Sequence, residues 1–509
     1  MNVLHLLHTV GEAYSEETAV ASVDGELTYE ELYERVDRYA AALRTHLEPG
    51  DRFSLFMGNS NRMLSVLLAG WQMGALPAPI NTRLGVDEIA GLIEDAGARF
   101  VVVDEAYADR VDESVTPEGV PVYRSSGDGD GGHAGRFEAA LPEGDVERCV
   151  RSKLDTEEAM FLHSAGTTGR PKWVRITHGN LAGSLGPMVA ANLDADDVGL
   201  HYYPLYHSGG IDMTLCRLLC GATTVIGRGW DAEDALERIE RHGANGITVV
   251  PQMGYELAHH DAVEDYDLST FRYLLVGSDT LSEELAGEFR ALGVQPMQAY
   301  GLTETMAVIA ISAYGDEDCP LDSTGRVIED VARVRIVDPQ TGEEVPSGEI
   351  GEILVAGDKL APGYHERPDA DAEAFEDGWL HTDDLGSFDE NGYLHITGRF
   401  DNMLIVGGEN VYPTDVEETL AAHPSISQVV VVGAPDERKG EIPVANVVLQ
   451  PGSELTESAL QEWFIERDAA FKHPRIVRFV DELPKTALGK IDRGDIESTV
   501  RREVGGSDR

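Results

Sequence analysis

Ser164-Ala165-Gly166-Thr167-Thr168-Gly169-Arg170-Pro171-Lys172 is the stretch on which the reading of this chain turns. Its glycines let the backbone turn tightly enough for N–H groups to face phosphate oxygens, and hydroxyls with a cation add charge-assisted hydrogen bonds. The stretch therefore reads as a phosphate cradle built from Ser164, Gly166, Thr167, Thr168, Gly169 and Lys172. It is not a Walker A loop. Pro171 occupies the position before Lys172 where that loop needs glycine, and Trp173 stands where Ser or Thr would hold magnesium.

Outward from the cradle, short β-rich runs alternate with helical segments. Phe100-Val101-Val102-Val103, Gly246-Ile247-Thr248-Val249-Val250 and Tyr273-Leu274-Leu275-Val276 are bounded by turn residues or followed by amphipathic stretches, the pattern of parallel α/β layers. An early helix is announced by a capping box, Thr28 with Glu31, ahead of Leu32, Val36, Tyr39 and Leu43 at helical spacing. From about Asp322 to His395 strands such as Val334 to Val337 and Glu352 to Val355 predict a smaller β-rich subdomain. After Arg399 a fresh set follows: a helix opening near Pro413, strands Val429 to Val432 and Val444 to Leu449, and a helix from Glu457 to about Arg467. The fold class expected is α/β, with a large N-terminal domain over 1–400 (two α/β layers plus the β-rich subdomain) and a small mobile α+β domain over 401–509. A chain of 509 residues exceeds the roughly 100 to 200 of one domain, so such a division is required.

The charge balance is extreme: 91 Asp+Glu against 40 Lys+Arg give a formal net charge of -51. Such a surface repels nucleic acid and anionic lipid and holds water and cations, as expected of a protein kept soluble in a high-salt cytoplasm. The acids are spread along the chain among apolar segments, which excludes an acidic disordered tail. Cys149, Cys216, Cys220 and Cys319 are too few and too irregular for a disulfide scaffold or a zinc site, and Cys216 and Cys220 read as buried apolar filler. Met1-Asn2-Val3-Leu4-His5 is unlike the start of a secretory signal, so a cytoplasmic location is expected. The most apolar stretch, Leu64 to Ile80, is broken by Gln72, Pro77 and Pro79; it reads as a buried helix and turn rather than a membrane span. Ser125 to Gly132 reads as a flexible loop, and the tail after Val504 as fraying.

The cradle resembles the signature loop of the acyl-adenylate-forming superfamily, which includes acyl-CoA ligases, luciferases and the adenylation domains of peptide synthetases. Further segments follow in the order of that family. These are Pro204-Leu205-Tyr206-His207-Ser208-Gly209-Gly210, Tyr300-Gly301-Leu302-Thr303-Glu304-Thr305, Gly378-Trp379-Leu380-His381-Thr382-Asp383-Asp384, Gly398-Arg399-Phe400-Asp401, and Leu483-Pro484-Lys485-Thr486-Ala487-Leu488-Gly489-Lys490-Ile491-Asp492-Arg493. Nearly the whole chain is covered, and the fatty-acyl and aryl CoA ligases are the nearest in pattern.

The resemblance implies a two-step reaction: acid, ATP and coenzyme A become acyl-CoA, AMP and pyrophosphate. Lys490 is implied to stabilise the charge that gathers as the carboxylate attacks the α-phosphorus, a role an ammonium can fill. Glu304 is implied to hold Mg2+, with Thr303 donating to a phosphate oxygen beside it. Tyr300, with Gly301 beside it, is implied to pack on adenine, Asp384 to accept the ribose hydroxyls with support from Arg399, and Ser278 and Asp279 to belong to the nucleotide site. Asp401 is the implied hinge, Gly407 and Gly408 the lining of the pantetheine tunnel, Lys439 a contact for the CoA phosphates, and His207 the gate of the acyl pocket.

Three positions depart from the pattern: Ala165, Trp173 and Asp383, the last standing in place of the glycine before the ribose aspartate. Trp173 threatens pyrophosphate binding by bulk, and Asp383 adds a like charge near Asp384. The acid expected is a medium- or long-chain fatty acid, with an aromatic acid close behind. Two rivals stand beside this reading, a stand-alone adenylation enzyme that loads a carrier protein and a non-catalytic nucleotide-binding regulator. No nucleic-acid partner and no membrane insertion are expected, and a homodimer is left open.

Overall fold

The computed structural model describes the chain apart from residues 1, 126–134, 139–140, 143, 145, 165–171, 278–280, 401–403, 407–408, 437–439, 470–471, 486–490 and 505–509. The chain forms two compact units, residues 1–334 with 355–380, and residues 335–354 with 381–509.

In the first unit the expected capping box is present. Thr28 Oγ1 accepts from the Glu31 amide (3.2 Å) and the Glu31 carboxylate accepts from the Thr28 amide (2.9 Å), opening the helix Tyr29–Leu43. Leu32, Val36, Tyr39 and Leu43 are all buried, as their spacing requires. The apolar run after Leu64 holds more than a helix and turn. The helix Asn61–Met73 ends at a left-handed Gly74 and is followed by a strand, Leu76–Pro79. That strand lies at the edge of a parallel five-stranded sheet, beside Arg52–Phe56, where prolines that cannot donate to a ladder are tolerated. Among the described residues no helix is long and apolar enough to cross a membrane.

The larger sheet has nine strands. Six run parallel in the order Gln295–Leu302, Tyr273–Gly277, Gly246–Val249, Val198–His201, Thr223–Ile226, Thr18–Ser22. Antiparallel strands flank them, Ala307–Ile311 and Arg326–Val327 at one end and Gly25–Thr28 at the other. The central strand Gly246–Val249 is buried throughout, as a parallel strand covered on both faces must be. Leu236 and Ile239 of Ala232–His242, with Leu285 and Phe289 of Glu283–Ala291, pack with Leu200, Ile247 and Leu274 of the sheet. On the helix Ser208–Cys220, burial pushes the Cys216 thiol up to about 12 and that of Cys220 up to about 11, so neither is a thiolate near neutral pH.

The β-rich stretch supplies Arg333–Val337, Gly351–Ala356, Trp379–Phe388 and Leu394–Arg399 to a five-stranded sheet. The second unit also carries the long antiparallel pair Ile426–Asp436 and Gly440–Leu449, joined by Ile476–Phe479 in parallel. Val416 and Leu420 of the helix Pro413–Ala421 and Leu460 and Phe464 of Glu457–Ile465 share a core with Val431, Ala445 and Val447 of that sheet. Pro413 opens its helix at the position where its missing N–H costs nothing. The glycine-rich stretch 126–132 and the tail from 505 lie outside the described residues.

Candidate active site

In an open parallel sheet ligands bind beyond the carboxyl ends of the strands, and His207, Thr303 and Glu304 follow such ends. Tyr203 to His207 follow Val198–His201, and Thr303 and Glu304 follow Gln295–Leu302. The Tyr203 hydroxyl lies 3.1 Å from both Val249 O and Gly277 O, at the ends of two neighbouring parallel strands. Asn59 fixes the same loop from below: its Nδ2 donates to Tyr203 O (3.0 Å) and Gly227 O (2.9 Å), and its Oδ1 accepts from the Leu205 amide (2.8 Å).

Thr303–Thr305 is one 3-10 turn, followed by Met306 at φ 46 and Ala307 at φ 60. Two successive side-chain-bearing residues in the left-handed region cost about 1–2 kcal/mol each, so neighbours must hold them. Thr305, fully buried, does part of this through Oγ1, which contacts Ala307 O (2.8 Å) and accepts from the Leu302 amide (2.9 Å). Gly301 is required for close approach, because a Cβ there would lie 1.7 Å from Ala307 O. The Ala361 amide donates to Glu304 O at 2.7 Å.

Glu304 does not stand alone. Its Oε1 accepts from the Tyr364 hydroxyl at 2.9 Å, and the Lys172 ammonium lies 5.2 Å from the centre of the same ring. Lys172, Tyr364 and Glu304 thus form a continuous array of cation, aromatic ring and carboxylate. Tyr364 is carried there because its segment extends the hairpin of Glu158–His163 and Trp173–Thr177. Val174 bridges Tyr364, the Arg175 amide donates to Gly363 O (3.0 Å) and the His365 amide donates to Trp173 O (2.8 Å). On either side of 165–171 the Ser164 amide donates to Lys172 O at 2.9 Å. Among the described residues no group of three or more His, Cys, Asp or Glu is placed to hold a metal ion. A lone carboxylate fits magnesium that arrives on nucleotide phosphates, since this ion keeps several waters and takes only one or two protein carboxylates.

His207 is the N-cap residue of Ser208–Cys220, and its ring meets His163 edge-on at 5.9 Å and Tyr206 at 5.0 Å. Gly210 lets this helix start close to the loop, as a Cβ would meet Pro204 O at 2.2 Å. His163 adjoins Ser164, so the His207 ring lies beside the residue that precedes Ser164. His163 Nε2 accepts from the Asn81 amide at 3.1 Å, and burial pulls its pKa down to about 4, which keeps the ring neutral.

Trp173 turns away from any phosphate role. It is 2% exposed, donates from Nε1 to Leu92 O (3.1 Å) on the helix Val86–Ala96 and packs with Phe161 and His163. Its bulk fills core.

In the second unit Asp384 and Arg399 are direct cross-strand partners, with Arg399 Nε 3.7 Å from Asp384 Oδ1 and Arg399 Nη2 3.6 Å from Asp383. Thr382 anchors the carboxylate's backbone, its Oγ1 donating to Ile353 O (2.7 Å) and accepting from the Asp384 amide (3.0 Å). Asp383 adopts φ 58, the conformation that glycine supplies most cheaply and that aspartate is among the few side chains to tolerate. Farther on, Lys485 bridges Ile491, the Asp492 amide donates to Pro484 O (2.8 Å), and Arg493 grips Glu417 with two bonds of 2.7 and 2.6 Å. Gly166, Thr167, Thr168, Gly169, Ser278, Asp279, Asp401, Gly407, Gly408, Lys439 and Lys490 lie outside the described residues.

Sequence reasoning passes over Tyr364, Asn59 and the Glu417–Arg493 pair. Only the turn residues Pro362 and Gly363 mark the place of Tyr364, and they carry no hint of Glu304.

Feruloyl-CoA synthase of Amycolatopsis sp is 34% identical over 504 residues, covering 96% of this chain and 96% of that protein. The 2-succinylbenzoate–CoA ligase of Bacillus cereus (strain Q1) is 30% identical over 488 residues, covering 95% and 96%. The crystal structure of ATP-bound MatB from Rhodopseudomonas palustris matches with a TM-score of 0.90 at 29% identity, over 98% of this chain and 99% of that one. Residues 415–490 match the C-terminal domain of AMP-binding enzymes. With residues 7–365 matching the main AMP-binding domain and a glutamate, a ring and a lysine arrayed beyond its strand ends, this chain belongs to the AMP-binding enzyme family.

Proposed function

We propose that the protein is an ATP-dependent, AMP-forming ligase that joins an aromatic carboxylic acid to the thiol of coenzyme A. The observation that carries this reading is the Lys172–Tyr364–Glu304 array at the carboxyl ends of the parallel strands. Of the two acid classes left open by the motifs, the two CoA ligases similar over the whole chain favour the aromatic one.

In the first step a carboxylate oxygen of the acid attacks the α-phosphorus of ATP and pyrophosphate leaves. Lys172 and Thr303 offer a cation and a hydroxyl to the phosphates, Asp384 accepts from the ribose hydroxyls, and Arg399 holds Asp384 in place. Magnesium bound at Glu304 would neutralise phosphate charge. Lys490 stabilises the charge between nucleophile and phosphate. In the second step the CoA sulfur attacks the acyl carbonyl and AMP leaves. The cap is assigned to residues 401–509 with Asp401 as its hinge, and Gly407, Gly408 and Lys439 receive the pantetheine arm and nucleotide phosphate of CoA. Asp383, 53% exposed in its side chain, leaves the Asp384 carboxylate as the buried partner of the ribose.

Acid-dependent exchange of pyrophosphate into ATP, run over benzoic, cinnamic and fatty acids of graded length, tests the reading. Aromatic acids should give the highest kcat/KM. A fatty acid that outperforms every aromatic one sinks the substrate class, and no exchange with any acid would favour a nucleotide-binding regulator. Thioester formed with a phosphopantetheinyl carrier protein but not with CoA would favour the carrier-loading enzyme.

The net charge of -51 supports a cytoplasm rich in salt as the working medium. At low ionic strength unscreened self-repulsion opposes the compact state. Activity and thermal midpoint should therefore fall as KCl is dialysed away and return when it is restored; full activity in dilute buffer contradicts this.

A further inference from the structure

Asp212 and Lys359 are charged, completely buried and unused by the chemistry above. Lys359 Nζ lies 3.1 and 3.0 Å from the two Asp212 oxygens and donates to Val308 O at 3.0 Å. Asp212 Oδ2 accepts from the Val308 amide at 3.1 Å. Two ions withdrawn from water this fully carry a large desolvation cost before they pair, and an apolar pair of similar volume is often as stable or more so. Stability is therefore a weak reason for charge here.

Position gives a better one. Asp212 opens the second turn of the helix that His207 caps. Lys359 stands two residues before Ala361, whose amide holds Glu304 O. Val308 follows the two left-handed residues Met306 and Ala307 and stands where the strand pairing slips, Tyr300 facing Ala310 and Gly301 facing Val308. A slip of this kind disrupts the ladder and leaves backbone groups without regular partners. Here the ion pair engages both the amide and the carbonyl of Val308, which no pair of apolar side chains could do.

We propose that Asp212 and Lys359 are a positioning pair that holds the strained Thr303–Ala307 turn, and with it Thr303 and Glu304, in the geometry adenylation needs. The inference rests on the reading of Glu304 as the carboxylate on the phosphate side.

Full-length D212L/K359M is compared with the parent in two assays, pyrophosphate exchange and thioester formation from premade acyl-adenylate. Exchange is expected to fall about tenfold to a hundredfold through kcat, as sub-ångström to ångström misplacements do, with the KM for acid little changed. Thioester formation should stay near the parent's, while the thermal midpoint falls because the Val308 amide and carbonyl lose their partners. Parent-level exchange in the folded variant overturns the proposal, and so does an equal loss in both half-reactions, which marks a general structural role. Where that variant does not fold, D212N/K359M is read by the same split, since it removes both charges yet keeps an acceptor for the Val308 amide. E304Q runs alongside: parent-level exchange there sinks the reading of Glu304, whereas a slow E304Q beside a fast double variant sinks the positioning pair alone.

Discussion

Lys490→Ala is expected to slow acid-dependent pyrophosphate exchange on the order of a hundredfold or more, while thioester formation from premade acyl-adenylate stays close to the parent rate. The asymmetry follows from where charge develops. As carboxylate and α-phosphate approach, two anionic groups share one bond-forming region, and a preplaced ammonium there stabilises the transition state more than the ground state. The second step brings no carboxylate against the α-phosphate, since its new bond joins sulfur to the acyl carbon, so it does not call on a cation between those two anions. The chain on both sides of 486–490 is well anchored, by the Lys485–Ile491 bridge and by the two-pronged grip of Arg493 on Glu417. Alanine at 490 thus removes a charge and leaves those anchors in place. Both half-reactions are measured on one preparation, and an equal loss in the two would contradict the role.

Glu304→Gln should have an effect of similar size by a different route. Glutamine keeps the volume and an oxygen that accepts from the Tyr364 hydroxyl, so the 2.9 Å contact that orients the side chain survives. Only the negative charge is lost. A carboxylate is a hard ligand suited to magnesium, and electrostatic deletions at charge-developing centres cost about 100- to 1,000-fold in kcat. Pyrophosphate exchange should fall by that order, the Mg2+ concentration for half-maximal exchange should rise, and Mg·ATP should bind more weakly by calorimetry. The thermal midpoint should hold, since neither Thr305 nor the Ala361 amide loses a partner. Exchange within about twofold of the parent would remove Glu304 from the chemistry, since that is far below the loss a deleted charge contact produces.

These residues were legible at different distances. The Thr28–Glu31 capping box and the buried face of Tyr29–Leu43 lie within a few residues of one another, so spacing alone reveals them. Strands such as Gly246–Val249 and Tyr273–Gly277 announce themselves by β-branched and aliphatic runs between turn residues. The motifs around Glu304, Asp384 and Lys490 are short and contiguous, so each is read from neighbours in the chain. The strand Leu76–Pro79 escapes such a reading: its prolines argue for a turn, and only its place at a sheet edge lets them stand in a ladder.

Primary structure therefore determines the α/β class, the order of elements and the chemistry-bearing motifs of this protein, since those depend on neighbours in the chain. Tertiary structure decides how the motifs are oriented. Tyr364 reaches Glu304 across 60 residues and Lys359 reaches Asp212 across 147, contacts set by packing that no local pattern encodes. The same holds for Trp173, which by composition crowds a phosphate loop and in the fold fills a core beside Leu92. A side chain's partner is chosen by whichever segment the sheet brings alongside, and burial then makes that choice binding, because an unpaired polar group withdrawn from water is too costly to keep.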